Sequence, residues 1–326
     1  MFASNRIYFR RDLLIELLKT NTFLQFVLLF ATTFFACAKV TIQSKACRKY
    51  LKNTQDSLVY NTMFFASVAL FLGVMFPQTF PTPLLIVLSL FSAAANFTFQ
   101  VLYSVCLTTG PVSLTVLVVN FSVFIPTVFS AVLFKEDIFI TQFIGMAFLI
   151  SSMLLSFNKT EGEKKANKKW LVLTITALLA TGIASCIQKC FFKTELSNVE
   201  NASNTFLFLV YVFATAISLL AVFINSKVAK KEKCTFWFSK NMALYAVFIG
   251  FIISVFQKLF MLSVECVPGA VLYPTYNGMQ AVIMSVVGMC IFKDRLSSKQ
   301  KLGIIFGIAS IAMMNIKLGA AFNFCA

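Results

Sequence analysis

A stretch near the end of this chain has an altered copy in its first half. The stretch, Pro268 to Asn315, reads as an apolar helix, a charged turn at Phe292-Lys293-Asp294-Arg295, and a second apolar helix opened by Gln300 and Gly303. The copy runs from Pro111 to Ser152. At an offset of 157, Phe99-Gln100 falls on Phe256-Gln257, Pro111 on Pro268 and Asn120 on Asn277. At an offset of 158, Phe134-Lys135-Glu136 falls on Phe292-Lys293-Asp294, and Gln142, Gly145, Phe148 and Ser152 fall on Gln300, Gly303, Phe306 and Ser310. Seven of the nineteen positions from Phe134 to Ser152 are identical. Apolar composition alone produces fewer, so the match reads as a duplication. A repeat this long decides architecture before any local feature does.

The repeated units consist of apolar runs. Ten of them lie near 22–43, 58–76, 84–107, 111–134, 138–157, 169–192, 204–225, 242–264, 268–291 and 300–318, each close to the ~20 residues that cross a bilayer as a helix. With 59% hydrophobic residues and a mean hydropathy of +0.85, the chain carries more apolar surface than a soluble domain can bury. The expected fold class is therefore an all-α polytopic membrane protein. Five spans separate each element from its copy. An odd number reverses direction across the membrane, so the expectation is two inverted five-helix repeats, 21–157 and 169–318. A Lys-rich linker at 158–168 joins them. An amphipathic surface segment at 1–20, with Arg6, Arg10 and Arg11 among leucines, precedes them, and a tail at 319–326 follows. Inverted repeats allow two halves to rock about a midplane site, which is alternating access.

The net charge of +16 sits in short loops beside the spans. That pattern fits lipid head groups and topology, not nucleic acid. The chain has no His, and its nine cysteines are scattered, about half of them within apolar runs. Neither a disulfide framework nor a metal site follows from this, and no cofactor is expected. With no catalytic cluster of His, carboxylates or metal ligands, an enzyme is not expected.

Polar residues inside the spans are few. Lys39, Lys189 and Lys258 are the basic ones, and an ionisable group at that depth marks a candidate site. Lys39 and Lys189 lie about a turn from the expected helix ends, within reach of the interface by snorkelling. Lys258 is deeper and follows the duplicated Gln257, where it can attract a carboxylate or phosphate. Gln100 with Gln257, and Asn120 with Asn277, are duplicated amides. They fit either a substrate-facing ring or hydrogen bonds that hold the bundle together. Tyr273 and Tyr276 flank Pro274, which removes a helix hydrogen bond beside Gly278. Gly303 and Gly307 form a small-residue face for internal packing or a dimer contact. The charges ending the fourth and ninth runs mark the membrane boundary, and surface anchoring outweighs a salt bridge across a gate.

At these residues the chain resembles the drug/metabolite transporter superfamily, in its ten-helix bacterial branch with two EamA-type repeats. The resemblance rests on Gly110-Pro111-Val112-Ser113-Leu114-Thr115, on the Phe-Lys-acid that ends a helix in both halves, and on Gln-x-x-Gly opening the fifth and tenth helices. It covers about residues 22–318. It implies a secondary transporter in a bacterial inner membrane, exporting a small metabolite such as an amino acid or organic anion, with a multidrug exporter as the alternative. A non-transporting membrane or receptor protein is a more remote one. It also implies a cavity lined by helices 1, 3, 4, 6, 8 and 9, two-fold contacts through helices 5 and 10, and a monomer or homodimer. Small four-helix relatives embed a Glu in their first helix for proton coupling, whereas this chain has Lys39 there and no buried acid. Facilitated export or exchange is therefore as well supported as proton antiport. Family orientation puts both termini in the cytoplasm. The loops on that side hold 7 Lys and Arg against 18 on the other, so the positive-inside rule gives the reverse orientation.

Overall fold

The computed structural model describes residues 15–51, 54–109, 115, 118–136, 138–156, 168–228, 240–291, 298–315 and 321–322. Outside them lie most of the amphipathic N-terminal segment, the Gly110–Leu114 motif, the charged turn at 292–297 and nearly all of the linker. The fold is helical. In chain order it comprises α1 (Thr22–Tyr50), α2 (Thr54–Met75), α3 (Pro83–Thr109), α4 (Phe124–Leu133), α5 (Ile140–Ser156), α6 (Lys168–Lys193), α7 (Ala202–Val228), α8 (Lys240–Cys266), α9 (Gly269–Ile291) and α10 (Ser298–Asn315). Among the described residues the only extended pairing is a two-residue antiparallel ladder, Ile138–Phe139 with Ala321–Phe322.

Six helices are long and apolar enough to cross a membrane, at Thr22–Cys47, Thr54–Met75, Pro83–Leu107, Lys168–Lys193, Ala202–Lys227 and Asn241–Cys266. Apolar stretches in α4, α5 and α10 are shorter. Large apolar side chains such as Phe30, Leu70, Phe91, Val172, Leu220 and Ile305 point outward. In water such a surface is unstable, whereas lipid tails solvate it. The protein is thus an integral membrane protein.

Backbone groups in hydrocarbon must be satisfied within the helix. Interior hydroxyls follow the same logic: Thr32, Thr33, Thr127 and Ser254 each donate to the carbonyl four residues earlier, at 2.6–2.8 Å. Asn21 caps α1, its side chain accepting from the N–H groups of Phe23 and Leu24.

Packing joins elements that are distant in sequence. The α3 helix packs along α6 and α1 along α8; α2 packs on α8, and α7 on α3. The α2 and α7 helices pack on each other, as do α5 and α10. One apolar core gathers Tyr60, Phe64 and Phe65 of α2 with Phe206 and Leu207 of α7 and Met242 and Ile249 of α8. A second joins Leu29 of α1, Val264 of α8 and Leu272 and Tyr273 of α9. Gly307 faces inward: a Cβ there would stand 2.9 Å from Ser152 Oγ of α5 and from Val282 of α9, so internal packing accounts for it.

Two expectations change. The α1 helix continues to Tyr50, past the expected end at 43, because the polar segment Thr41–Tyr50 keeps helical hydrogen bonds beyond the apolar run. Lys39 is thereby eleven residues from the helix end, about 16 Å at the helical rise. In the fourth run, a 3-10 turn at Phe121–Val123 interrupts the helical stretch before α4, and Asn120 is the last helical residue ahead of that turn.

Candidate functional site

A cavity of about 180 Å³ lies near the middle of the bundle. Residues of α1, α2, α3, α4, α6, α7, α8 and α9 wall it, together with the 3-10 turn. The participation of α2, through Phe64 and Phe65, and of α7, through Tyr211, goes beyond the helices that the sequence resemblance implies.

Both duplicated glutamines and both duplicated asparagines line this cavity, as do Lys39, Tyr273 and Tyr276. The paired residues are not equivalent in their bonding. Asn277 donates its amide to the Tyr273 carbonyl one turn earlier at 2.9 Å, while the Asn120 side chain makes no capping bond. Gln100 accepts from Lys39 Nζ at 3.5 Å, and Gln257 donates to the Tyr211 hydroxyl. Lys39 Nζ also lies 5.9 Å from the Phe99 ring centroid, within cation–π range.

Most of the remaining wall is aromatic. Phe99 and Tyr103 stack at 5.3 Å, Phe256 and Phe260 at 5.6 Å, and Tyr276 packs edge-on against Phe260 at 5.4 Å. Tyr103, Tyr211, Gln188 and Gln280 are wall residues that sequence reasoning did not single out. The signal was present, since each is a polar side chain in an otherwise apolar run, but nothing in the run states which face the cavity takes.

Lys189 and Lys258 do not line the cavity. Lys189 pairs with Glu136 Oε1 at 3.1 Å and donates to the Val267 carbonyl at 3.3 Å. The other Glu136 oxygen accepts from Gly269 N at 2.7 Å. Glu136 reaches this position because Lys135, just after the end of α4, takes a left-handed φ of 51° and turns the chain inward. Anchoring at the surface is therefore not what Glu136 does: its side chain is 13% exposed and ties α4, α6 and the α8–α9 turn together. Next to this tie, Tyr273 donates its hydroxyl to the Ser185 carbonyl of α6 at 3.2 Å. A Cβ on Gly269 would stand 2.3 Å from Ser130 Oγ, so only glycine fits there.

Lys258 turns away from the cavity beside its neighbour Gln257. Its ammonium donates to Asn204 at the start of α7 and stands 5.5 Å from the Phe76 ring centroid. Asn204 in turn donates to the Pro77 carbonyl at 3.0 Å. Lys258→Met is accordingly expected to lower the thermal midpoint while leaving solute affinity unchanged. A binding isotherm of the variant with a solute that the native protein binds checks this, and a weakened affinity would return Lys258 to the site.

No known protein family model matches the chain, and no curated protein matches it. A solved crystal structure superposes on it with a TM-score of 0.66 at 13% identity, covering 88% of this chain and 94% of the other. At that identity the likeness is one of fold alone.

Proposed function

We propose that the chain is a secondary transporter moving a small metabolite, of the amino acid or organic anion class, by alternating access, with export as its direction. The observation that carries this reading is the meeting of Gln100 with Gln257, and of Asn120 with Asn277, at one mid-bundle cavity. Residues related by the sequence repeat thus contribute to a single site from opposite halves of the chain.

The packing supports two inverted five-helix repeats. Exchanging α1–α5 with α6–α10 converts α3 on α6 into α8 on α1, and α2 on α8 into α7 on α3. The pairs α2–α7 and α5–α10 exchange into themselves. In the α5–α10 pair, Phe148 meets Phe306, its own counterpart in the repeat, with ring centroids 5.4 Å apart. A two-fold axis relating the halves has this consequence, and on the reading that five spans separate each element from its copy that axis lies in the membrane plane. On this reading the chain is a ten-helix transporter of the drug/metabolite kind, with EamA-type repeats, in a bacterial inner membrane. The aromatic wall favours a second reading, a multidrug exporter for cationic aromatic compounds, against which Lys39 stands.

Proteoliposomes containing the purified protein test both. Labelled amino acids, organic anions and a cationic dye are offered with and without a proton gradient. The expected result is saturable uptake of one polar solute without a gradient, reduced about tenfold or more in the Gln100→Leu, Gln257→Leu double variant. Gradient-driven dye movement would replace this reading by the multidrug one, and undiminished uptake in the double variant would remove the cavity from the pathway.

A further inference from the structure

We propose that the cavity binds an organic anion bearing a hydroxyl, with the anionic group held by Lys39 and Gln100 and the hydroxyl by Gln257. This names the solute of the transporter proposed above and rests on that reading for its physiological meaning.

Of the three lysines singled out inside the apolar runs, Lys189 and Lys258 are engaged away from the cavity and Lys39 faces it. Lys189 has the Glu136 carboxylate and the Val267 carbonyl. Lys258 has the Asn204 side chain. Lys39 has one amide oxygen at 3.5 Å and a ring face. An ammonium has three donors, and a buried cation without a counter-charge is costly. Among the described residues no carboxylate pairs with Lys39, and the cavity wall contains neither Asp nor Glu. An incoming anion supplies the missing charge.

Two more atoms point the same way. Gln100 Nε2 and Gln257 Oε1 have no hydrogen-bond partner, although their residues are only 3% and 8% exposed. An ammonium can only donate, so Gln100 turns its oxygen to Lys39 and leaves its NH2 unpaired. A carboxylate or phosphate beside Lys39 accepts from that NH2 as well. Gln257 is already committed to the Tyr211 hydroxyl through one amide atom, and the other is vacant. A hydroxyl satisfies it, since a hydroxyl both donates and accepts. In the wall of the same cavity, the stacked rings of Phe99 with Tyr103 and of Phe256 with Phe260 suit a flat body. A free amine on the solute would face Lys39 with no acid to receive it. Simple hydroxylated acids therefore rank above amino acids, and amino acids above amines.

A set of probes sharing one phenol tests this. They are 4-hydroxyphenylacetate, 4-hydroxyphenyl phosphate, tyrosine and tyramine, with phenylacetate as the control lacking a hydroxyl. Each is titrated against the purified protein in detergent by its effect on the unfolding midpoint, and then offered to proteoliposomes. The carboxylate or the phosphate is expected to raise the midpoint, the stronger of the two identifying the anionic group. Tyramine should have no effect, and phenylacetate should act more weakly than its hydroxylated form. Lys39→Met should weaken the anion about tenfold or more, and Lys39→Arg should retain it. Lys39→Gln serves the same purpose if the methionine variant does not fold. Tyramine binding as tightly as the anions, an anion response that survives loss of the charge, or no anion response in the native protein overturns the proposal. Anion binding without uptake upholds the site and rejects the transporter reading. Uptake of tyramine with no anion response does the opposite.

Discussion

Glu136→Gln is expected to destabilise the protein by about 3–5 kcal/mol, because it leaves Lys189 as a buried cation without its counter-charge. The substitution is conservative in shape. Glutamine still offers an oxygen to Gly269 N, which the native carboxylate holds at 2.7 Å, so the bond to the α8–α9 turn is preserved and only the charge is removed. The loss therefore reads the Lys189–Glu136 pair itself, whose side chains are 6% and 13% exposed. Adding Lys189→Met to Glu136→Gln should restore most of the stability, since an apolar side chain requires no partner. A double-mutant cycle on the unfolding free energy in detergent measures this coupling. If Glu136→Gln is as stable as the native protein, water and not Glu136 solvates the lysine.

Gly250→Ala is expected to cost about 1–3 kcal/mol through overpacking. At this point α8 crosses α2 so closely that a Cβ on residue 250 would stand 2.6 Å from Ser67 Cβ and 3.3 Å from the Ser67 carbonyl carbon. Ser254, one turn further along α8, donates to the Val68 carbonyl at 3.3 Å and helps hold the two backbones together. In a bilayer, close packing of this kind and interhelical hydrogen bonds carry the association that the hydrophobic effect supplies in water. Ser67→Gly removes the worst clash, so the Gly250→Ala, Ser67→Gly pair should recover most of the midpoint lost by Gly250→Ala alone. Equal midpoints for Gly250→Ala and the native protein would mean that α2 and α8 are free to separate.

Several features of the fold were legible in the residues. The apolar run expected at 268–291 is α9, Gly269–Ile291, because Pro268 both ends the preceding helix and starts the next. The run at 169–192 is α6 within a residue at either end. The end of α1 was not legible, since hydropathy falls after Val40 while the helix continues through a polar segment. The broken start of α4 was not legible either, because a 3-10 turn leaves no hydropathy signature at Phe121–Val123. In the candidate site, the amide pairs stood out as duplicated polar residues in apolar helices. Tyr211 did not, although it holds Gln257 in place, because a tyrosine within a span is equally at home against lipid or protein.

What the sequence determined by itself is the class of solvent this protein lives in and the positions of its helices along the chain. Both follow from local quantities: apolar side chains partition into lipid, and a backbone in lipid must satisfy its own hydrogen bonds. Only the tertiary structure decided the fate of the three lysines. They are chemically identical, and each occupies an apolar helix. One meets the acid after α4, one meets an asparagine at the start of α7, and one meets a cavity. A lysine's role at such depth depends on which distant helix packs against its face, and that is set by interhelical close contacts such as the one at Gly250, which one-dimensional periodicity does not encode.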